Sequence, residues 1–188
     1  MNEQRIIIAG FGGQGVLMIG KLLASAGMEE SREVSWLPSY GPEMRGGTAN
    51  CNVILSEEPI GAPTVTEATC LIAMNLPSLD KFENDLVPGG LLVFNSSMIP
   101  RAPQRTDIVA IGIPANELAL EQGSLRVANV VMLGVYLAHS QAVRMDTLET
   151  VLREILGHGK EHLLEINLHA LKAGMNFASA AAAPAALG

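Results

Sequence analysis

The stretch from Ser39 to Cys51 holds the residue types best suited to binding chemistry. It reads Ser-Tyr-Gly-Pro-Glu-Met-Arg-Gly-Gly-Thr-Ala-Asn-Cys and fits neither helix nor strand periodicity. Its proline and glycines predict a shaped loop, which can aim the rigid donor fork of Arg45 at phosphate or carboxylate. The alternative is a surface turn with solvated charges. The candidate residues for an anion or a partner chain are Ser39, Tyr40, Gly41, Glu43, Arg45, Gly46 and Gly47.

A glycine turn near the N-terminus is the second candidate. Residues 5–10 are typical of a strand buried on both faces, and an apolar stripe at helical spacing begins at Val16. Between them the chain matches G-x-G-x-x-G, which directs free backbone N–H groups at a helix start towards an anion. We favour the simpler interpretation that these glycines let the helix pack tightly on the strand. The residues of the turn are Gly10, Gly12, Gly13, Gln14 and Gly15.

Two familiar nucleotide sites do not fit this turn. A P-loop needs a lysine and a hydroxyl residue where this chain has Val16 and Leu17. An NAD site usually has an acid at the end of the second strand to hold the ribose. The strand predicted at residues 34–37 runs instead into Pro38, Ser39 and Tyr40. The pattern alone therefore does not establish a bound nucleotide.

The elements that would position both candidates are those of an α/β domain. Strands are predicted at residues 5–10, 34–37, 48–55, 70–74, 91–94 and 107–113. No helical pattern separates the second strand from the third, so these two are expected to be antiparallel, because parallel pairing needs a crossover of a dozen or more residues. A helix that begins at Asn75 or Ser78 is expected to include Leu86 and to end at Pro88-Gly89-Gly90.

The C-terminal part is predicted to be helical. A helix starts at Pro114, residues 127–138 form a buried helix because they are apolar on almost every side, and amphipathic helices follow at 145–156 and 161–173. The predicted fold is a three-layer α/β/α Rossmann-like domain with a mixed, mainly parallel sheet. We expect one domain at residues 1–177 and an alanine-rich tail at 178–188.

Composition limits the possible partners. The 188 residues suit one domain, and a hydrophobic content of 48% predicts a sizeable core. Charged residues make up only 16%, so some apolar surface is expected to meet other chains. A net charge of −7 without clustered cations argues against nucleic acid. No apolar run is long enough to span a bilayer and no signal peptide is recognisable, so we predict a cytoplasmic protein with no membrane partner.

Independent catalysis is not indicated by the sequence. Cys51 and Cys70 are the only cysteines, too few for a four-cysteine cluster, and are expected to be free thiols. No G-x-S-x-G elbow, H-E-x-x-H helix or kinase motif set is present. His158 and His162 have the spacing of two metal ligands on one helical face, but Gly159 between them favours a solvated polar face. We predict no catalytic residue and no metal site in this chain.

Three motifs in this order resemble one family. They are the glycine turn at 10–15, Pro-Ser-Tyr-Gly-Pro-Glu-Met-Arg-Gly-Gly-Thr-Ala-Asn-Cys at 38–51, and Met-Asn-Leu-Pro-Ser-Leu-Asp-Lys-Phe-Glu at 74–83. Together they closely resemble the γ subunit of 2-oxoacid:ferredoxin oxidoreductases, over the whole chain up to the alanine-rich tail. Within that family the chain looks most like the 2-oxoglutarate enzymes.

The resemblance implies a multisubunit complex that oxidatively decarboxylates 2-oxoglutarate with coenzyme A to succinyl-CoA and reduces ferredoxin. Thiamine diphosphate, Mg and iron–sulfur clusters are expected on partner subunits, namely catalytic α and β subunits, with a ferredoxin-like δ subunit as a further candidate. This chain would support assembly and the coenzyme A side of the active site. The residues that match the family motifs are Gly12, Gly13, Gln14, Gly15, Ser39, Tyr40, Glu43 and Arg45.

Two alternatives remain open at this point. The first is the same supporting role in an enzyme that acts on pyruvate, a branched-chain 2-oxoacid or indolepyruvate. The second is a stand-alone Rossmann-like module that holds a nucleotide on the glycine turn. For the γ-subunit interpretation as a whole, two roles of Arg45 are considered: it grips an anionic group of coenzyme A, or it locks the loop through Glu43 and a partner chain.

Overall fold

The computed structural model describes residues 3–39, 48–157 and 159–182, and in this part of the chain strands give way to helices towards the C-terminus. The strands are β1 (Gln4–Phe11), β2 (Glu33–Ser39), β3 (Thr48–Ser56), β4 (Ala68–Ala73), β5 (Leu86–Asn95) and β6 (Val109–Ile113). The helices are α1 (Val16–Glu29), α2 (Leu76–Phe82), α3 (Ala115–Glu121), α4 (Ala128–Ser140), α5 (Met145–Leu156) and α6 (Glu161–Ala182).

The six strands form one sheet in the order β2-β3-β1-β4-β5-β6. β3 pairs antiparallel with both β1 and β2, whereas the pairs β1/β4, β4/β5 and β5/β6 are parallel. β3 is therefore the one strand of this sheet that runs against the other five. The expected mixed, mainly parallel sheet and the antiparallel second and third strands are confirmed.

β1 lies inside the sheet and is buried on both faces, as its run of β-branched residues predicts. Ile6 and Ile8 belong to a core shared with α1 and the C-terminal helices. Ile7 and Ala9 face a second, smaller core that includes Leu79 of α2. The three-layer α/β/α arrangement is thus confirmed, with one thick helical layer and one thin layer in which α2 is a helix of 7 residues.

The thick layer is held together by a close crossing of α4 and α6. Every residue of α4 from Ala128 to Leu137 is buried, in agreement with the predicted buried helix. A Cβ atom added at Gly174 would collide with the carbonyl oxygen of Val131, and one at Gly134 would collide with that of Leu171. Only glycine at both positions lets the two backbones approach this closely, because a methyl group would have to occupy the same space as a carbonyl oxygen.

The predicted helix after Asn75 is wrong in its C-terminal half. α2 ends at Phe82, and Leu86 begins β5 instead of closing the helix. The run Pro88-Gly89-Gly90 lies inside that strand, where the pairing with β4 shifts register. The N–H of Gly89 donates to the carbonyl of Asp107 at 2.7 Å, so the backbone is held by a contact from outside the sheet pairing. Proline and glycine often end a regular element, but here pairing with β4 keeps this run inside a strand.

The connection from β5 to β6 is anchored by one buried carboxylate. Glu83, directly after α2, is only 3% exposed. Its carboxylate accepts hydrogen bonds from the backbone N–H groups of Gln104 and Arg105, at 2.5 and 3.0 Å, and from the guanidinium of Arg101 at 3.1 Å. Arg101 also pairs with Asp80. The Glu83 side chain therefore holds the segment that leads into β6, which begins at Val109 and not at residue 107 as predicted.

The last helix is longer than the sequence pattern indicates. α6 was predicted to end at Ala173 but continues to Ala182. Ala178, the first residue assigned to the alanine-rich tail, is buried in the large core. The helix therefore crosses the proposed boundary between residues 177 and 178, and the division into a domain and a tail stays a prediction.

Candidate functional site

The glycine turn joins β1 to α1 at the carboxyl end of β1. Gly13 and Gly15 have φ angles of +93° and +74°, in the left-handed region that favours glycine. Gly15 immediately precedes α1, and no side chain caps the first turn of that helix. The start of α1 therefore presents backbone donors that no capping side chain covers.

Two glycines of this turn are explained by packing. A Cβ atom at Gly15 would collide with the side-chain amide of Asn129, and one at Gly10 would lie 2.9 Å from the Cβ of Met74. This supports the tight-packing interpretation for both positions. Gly13 differs, because an added Cβ would meet nothing within 4 Å there. Its glycine is required only by the backbone angle, and the space beside it is open.

Two amide side chains tie the turn to the neighbouring strand. Oε1 of Gln14 accepts hydrogen bonds from the N–H of Phe11 at 2.6 Å and from Nδ2 of Asn75 at 3.0 Å. Oδ1 of Asn75 in turn accepts from the N–H of Ser78 at 3.0 Å and caps α2. Asn75, and not Ser78, is therefore the capping residue. This chain of contacts joins the exits of β1 and β4, so the two loops hold one another in place.

The sheet order removes the usual ribose site of a dinucleotide fold. In such folds the second strand lies beside the first and its end carries the acid that holds the ribose. Here β3 is inserted between β1 and β2, and β2 ends at the exposed Ser39. The structure therefore agrees with the absence of an NAD signature in the sequence.

The loop around Arg45 starts and ends at the same edge of the sheet as the glycine turn. Ser39 pairs with Asn50, which also pairs with Ala9 of β1, and Thr48 pairs with Phe11. The two candidate segments are thus anchored side by side by β-sheet pairing. The other predicted loop residues lie outside the described part of the chain: Tyr40, Gly41, Glu43, Arg45, Gly46 and Gly47.

A cavity of about 280 Å³ opens at this edge, beside the glycine turn. α1 leaves β1 towards the large core, whereas α2 leaves β4 towards the small one. The gap between β1 and β4 is therefore a topological switch point, where open α/β sheets bind their ligands. The residues that line the cavity are Gly13, Gln14, Met74, Met98, Asn116, Leu125, Arg126, Ala128 and Asn129.

Asn129, in the first turn of α4, is the buried polar residue of this cavity. It is 1% exposed, and its Nδ2 donates to the carbonyl oxygen of Gly15 at 3.0 Å. Its Oδ1 has no hydrogen-bond partner within the described residues. The amide cannot simply be reversed, because Oδ1 would then face the carbonyl oxygen of Gly15. This amide oxygen is therefore a fixed acceptor, buried behind the cavity wall and without a partner among the described residues.

The mouth of the cavity combines a cation with apolar side chains. Arg126 is exposed, and its guanidinium forms no ion pair within residues 3–39, 48–157 and 159–182. Leu125 and Met98 are 51% and 40% exposed beside it. Large apolar side chains at a polar opening are typical of a surface that contacts a ligand or another chain. This agrees with the partner surface expected from the low charge content.

A second polar network borders the cavity at the end of β5. Nδ2 of Asn95 donates to Oδ1 of Asn116 at 3.0 Å, and the N–H of Asn116 donates to Oγ of Ser97 at 3.2 Å. The Ser97 hydroxyl donates to the carboxylate of Glu117, which lowers the pKa of Glu117 below its ordinary value. These groups satisfy one another, so the network positions Asn116 at the wall and leaves Asn129 as the acceptor without a donor.

Both cysteines are buried inside the sheet. Cys51 of β3 and Cys70 of β4 are free thiols. Burial raises the pKa of Cys51 to about 12 and also raises the pKa of Cys70. The Cys51 thiol donates to the carbonyl oxygen of Val16 at 3.7 Å. Because the thiolate is the form that binds metals, these residues are poorly suited to hold an iron–sulfur cluster.

The described ranges contain neither a metal-binding group of side chains nor a membrane-spanning helix. In residues 3–39, 48–157 and 159–182, no three His, Cys, Asp or Glu side chains are grouped so that they could hold a metal ion. His162 and His169 are exposed on α6, and His158 lies outside the described residues. No helix within those ranges combines the length and apolar character needed to cross a bilayer.

Sequence reasoning missed the three polar or charged residues that line this cavity besides Gln14. Asn129 had a visible signal, since it is the one amide in the apolar run at residues 127–138. Asn116 and Arg126 had none, because their importance depends on which distant loops meet at the sheet edge. Asn75 was noticed as a possible helix cap, but its contact with Gln14, 61 residues away in sequence, was not predicted.

The fold defines a Rossmann-like α/β domain whose switch point lies beside the glycine turn. Residues 5–177 match the family described as pyruvate ferredoxin/flavodoxin oxidoreductase. The chain belongs to this family, which agrees with the resemblance found in its three motifs.

Curated relatives carry the same family relationship. Ketoisovalerate oxidoreductase subunit VorA from Methanothermobacter thermautotrophicus is 43% identical over 94% of this chain, which spans only 36% of that relative's length. 2-Oxoglutarate synthase subunit KorC from Methanocaldococcus jannaschii is 31% identical over 95% of this chain and 98% of its own. The chain thus matches the whole length of the KorC subunit and about a third of the length of the VorA subunit.

Solved structures confirm the architecture. The γ subunit of a keto/oxoacid ferredoxin oxidoreductase from Geobacter sulfurreducens is 28% identical, with a TM-score of 0.79 over 94% of this chain and 99% of that one. A 2-oxoglutarate:ferredoxin oxidoreductase from Magnetococcus marinus, solved with 2-oxoglutarate, coenzyme A and succinyl-CoA bound, is 27% identical with a TM-score of 0.86. The match covers 96% of this chain and 32% of that larger chain.

Proposed function

We propose that this chain is the γ-type part of a 2-oxoacid:ferredoxin oxidoreductase and completes the coenzyme A side of the active site. The observation that carries the proposal is the convergence of the glycine turn, the ends of the Arg45 loop and the cavity at one edge of the sheet. The bound coenzyme A in the Magnetococcus marinus relative supports the choice of ligand. The exposed Leu125 and Met98 support a position against catalytic α and β subunits.

The redox cofactors belong on the partner subunits in this proposal. Thiamine diphosphate with Mg supplies the decarboxylation chemistry when bound there, and iron–sulfur clusters pass electrons to ferredoxin, with a ferredoxin-like δ subunit as one carrier. The two buried thiols of this chain do not fit a cluster, because burial raises the pKa of both and keeps them protonated. Two free cysteines also support the proposed location in a reducing cytoplasm.

Two substrates are supported by particular observations. The general resemblance of the chain to the 2-oxoglutarate enzymes of the family favours 2-oxoglutarate, and the KorC relative matches this chain over nearly its whole length. The 43% identity to VorA favours ketoisovalerate as the second candidate. The 2-oxoacid substrate is proposed to contact the partner subunits. Both candidate substrates must therefore be compared in one assay on the assembled complex.

The complex is expected to turn over only when this chain is present. The α and β subunits are purified with and without it, and ferredoxin reduction is measured with 2-oxoglutarate, ketoisovalerate, pyruvate and indolepyruvate in turn, each with coenzyme A. We expect one acid to give a rate at least tenfold above the others and above the mixture that lacks this chain. Full turnover without the chain contradicts the proposed function. A chain that copurifies with no such subunits favours the stand-alone nucleotide module.

Replacement of Arg45 by lysine is expected to impair the complex in one of two ways. Lysine keeps the charge but loses the bidentate geometry of the guanidinium. If Arg45 grips coenzyme A, the complex assembles normally and the apparent KM for coenzyme A rises roughly ten- to hundredfold, as expected for a lost charge-assisted hydrogen bond. If Arg45 locks the interface, assembly weakens instead.

The same measurements on a matched variant complete this test. Size-exclusion chromatography and a coenzyme A titration are run on Arg45→Lys and on Arg153→Lys, whose arginine lies on α5 and pairs with Glu149 one helical turn away. The KM for the 2-oxoacid should stay constant in both variants. Wild-type assembly and wild-type KM values in Arg45→Lys would show that the loop is a surface turn with solvated charges.

A further inference from the structure

We propose that Asn75 is a positioning residue for the glycine turn and that it acts through the side-chain amide of Gln14. Asn75 lies in the third family motif, at residues 74–83, to which the proposed function assigns no role. The identity of the ligand as coenzyme A is taken from the proposed function, on which this inference rests. The contacts that place Asn75 in this role belong to the described residues.

The glycine turn is closed by two hydrogen bonds between Phe11 and Gln14. The N–H of Gln14 donates to the carbonyl oxygen of Phe11 at 3.1 Å, and the N–H of Phe11 donates to Oε1 of Gln14 at 2.6 Å. Gly13, the third of these four residues, has the positive φ that a type II β-turn requires at that position. The conformation of the turn therefore depends on where the Gln14 side chain points.

Asn75 supplies the second donor that fixes the Gln14 side chain. Its Nδ2 donates to Oε1 of Gln14 at 3.0 Å, and its Oδ1 accepts from the N–H of Ser78 at 3.0 Å. Asn75 is buried, and the N–H of Met74 before it donates to the carbonyl oxygen of Ala9 in β1 at 2.9 Å. Asn75 is thus held in place by its own neighbours, and its amide in turn holds Gln14.

The two donors also determine which way the Gln14 amide faces. Because Oε1 accepts from both Phe11 and Asn75, Nε2 must point away from these two residues. Nε2 forms no hydrogen bond within residues 3–39, 48–157 and 159–182, yet it is not buried. Gln14 also lines the cavity beside the turn. Its Nε2 is therefore an accessible donor, and an acceptor oxygen of a ligand meets it without further ordering of the side chain.

Two replacements separate the contact with Gln14 from the cap of α2. Serine caps a helix about as well as asparagine, so Asn75→Ser keeps an acceptor for Ser78, but its shorter side chain no longer reaches Gln14. Asn75→Asp keeps both the cap and the shape of the side chain, but it places an acceptor where Nδ2 donates. The Gln14 amide must then turn so that Nε2 donates to the new carboxylate, which withdraws the accessible donor.

The expected result in the assembled complex is a higher KM for coenzyme A at nearly constant kcat. We expect an increase of about three- to tenfold in Asn75→Ser, as for the loss of one neutral hydrogen bond, and a larger increase in Asn75→Asp. The kcat and the KM for the 2-oxoacid should stay within about twofold. Hydrogen exchange at the N–H of Phe11 should be faster in both variants, because its acceptor is no longer held.

A double variant and a stability control complete the test. Gln14→Ala should itself raise the KM for coenzyme A, and adding Asn75→Ser to it should cause no further increase, because Asn75 acts through Gln14. Glu83→Gln weakens the opposite end of the same motif, where the carboxylate holds the segment before β6. This control should lose stability but keep the wild-type KM for coenzyme A.

Three results overturn the inference: a wild-type KM for coenzyme A in both variants of Asn75, full additivity in the double variant, or an equal rise in KM in Glu83→Gln. The proposed function fails separately, through the turnover assay. If no 2-oxoacid is turned over with coenzyme A, hydrogen exchange decides the role of Asn75. Faster exchange at Phe11 in Asn75→Ser supports the inference in that case, and unchanged exchange overturns it.

Discussion

Replacement of Gly174 by alanine is expected to lower the free energy of unfolding by about 3 kcal/mol. The added methyl group would collide with the carbonyl oxygen of Val131, a backbone atom that cannot rotate away. Overpacking typically costs about 1 to 3 kcal/mol, and this collision lies above that range because both helices must separate. Alanine's better helix propensity returns about 1 kcal/mol. The net loss remains one of the largest available from a single methyl group in this chain.

Chemical denaturation of Gly174→Ala checks this expectation, with Gly61→Ala as the matched control. Replacement of Gly61 adds the same methyl group in open space. An added Cβ there meets nothing within 4 Å, and the φ angle of Gly61 is not positive. The control should be neutral or slightly stabilising, because alanine restricts the unfolded chain. Equal midpoints for the two variants would show that α4 and α6 separate without penalty.

Replacement of Glu83 by alanine is expected to destabilise the protein by about 3 kcal/mol. It leaves the N–H groups of Gln104 and Arg105 without their acceptor and removes one carboxylate from Arg101. Loss of one partner of a buried charged contact typically costs 3 to 5 kcal/mol. We take the lower value, because Arg101 is partly exposed and keeps Asp80. Glu83→Gln should fall between the wild type and alanine, since its amide oxygen still accepts.

Asp80→Ala is the control for the carboxylate at position 83. Asp80 pairs with the same arginine, but its side chain is 53% exposed, and exposed ion pairs contribute about 0 to 1 kcal/mol. Thermal and urea unfolding of both variants should therefore differ by at least 2 kcal/mol. If Asp80→Ala proves as destabilising as Glu83→Ala, the arginine and not the buried carboxylate holds the segment before β6.

Local patterns in the sequence predicted the elements whose formation depends on near neighbours. The run at residues 127–138 is apolar all round, and α4 is accordingly buried along its length. The missing helix between β2 and β3 correctly implied an antiparallel pair, since the intervening chain was too short for a crossover. In both cases the residues of one short segment are enough to determine the structure.

Prediction failed where distant segments decide the outcome. Leu86 fits the helical spacing after Asn75, yet pairing with Ala68 of β4 places it in a strand. The hydrogen bond from Asn129 to Gly15 joins residues that are 114 positions apart in sequence, so no local pattern could reveal it. The glycine turn was found from sequence because its spacing is local, whereas the walls of the cavity come from five separate parts of the chain. The Arg45 loop remains a prediction, supported by where its two ends are paired.

The position of β1 between β3 and β4 also has a consequence for synthesis of the chain. Both neighbours of β1 come from later in the sequence, because Ile6 pairs with Val53 on one side and with Cys70 on the other. A ribosome that adds about 5 to 20 residues each second exposes β1 several seconds before β4 emerges. During that interval, one of the most hydrophobic segments of the protein has no completed sheet to enter. The nascent chain therefore depends on α1, or on a chaperone, to cover residues 6–9 until its sheet can close around them.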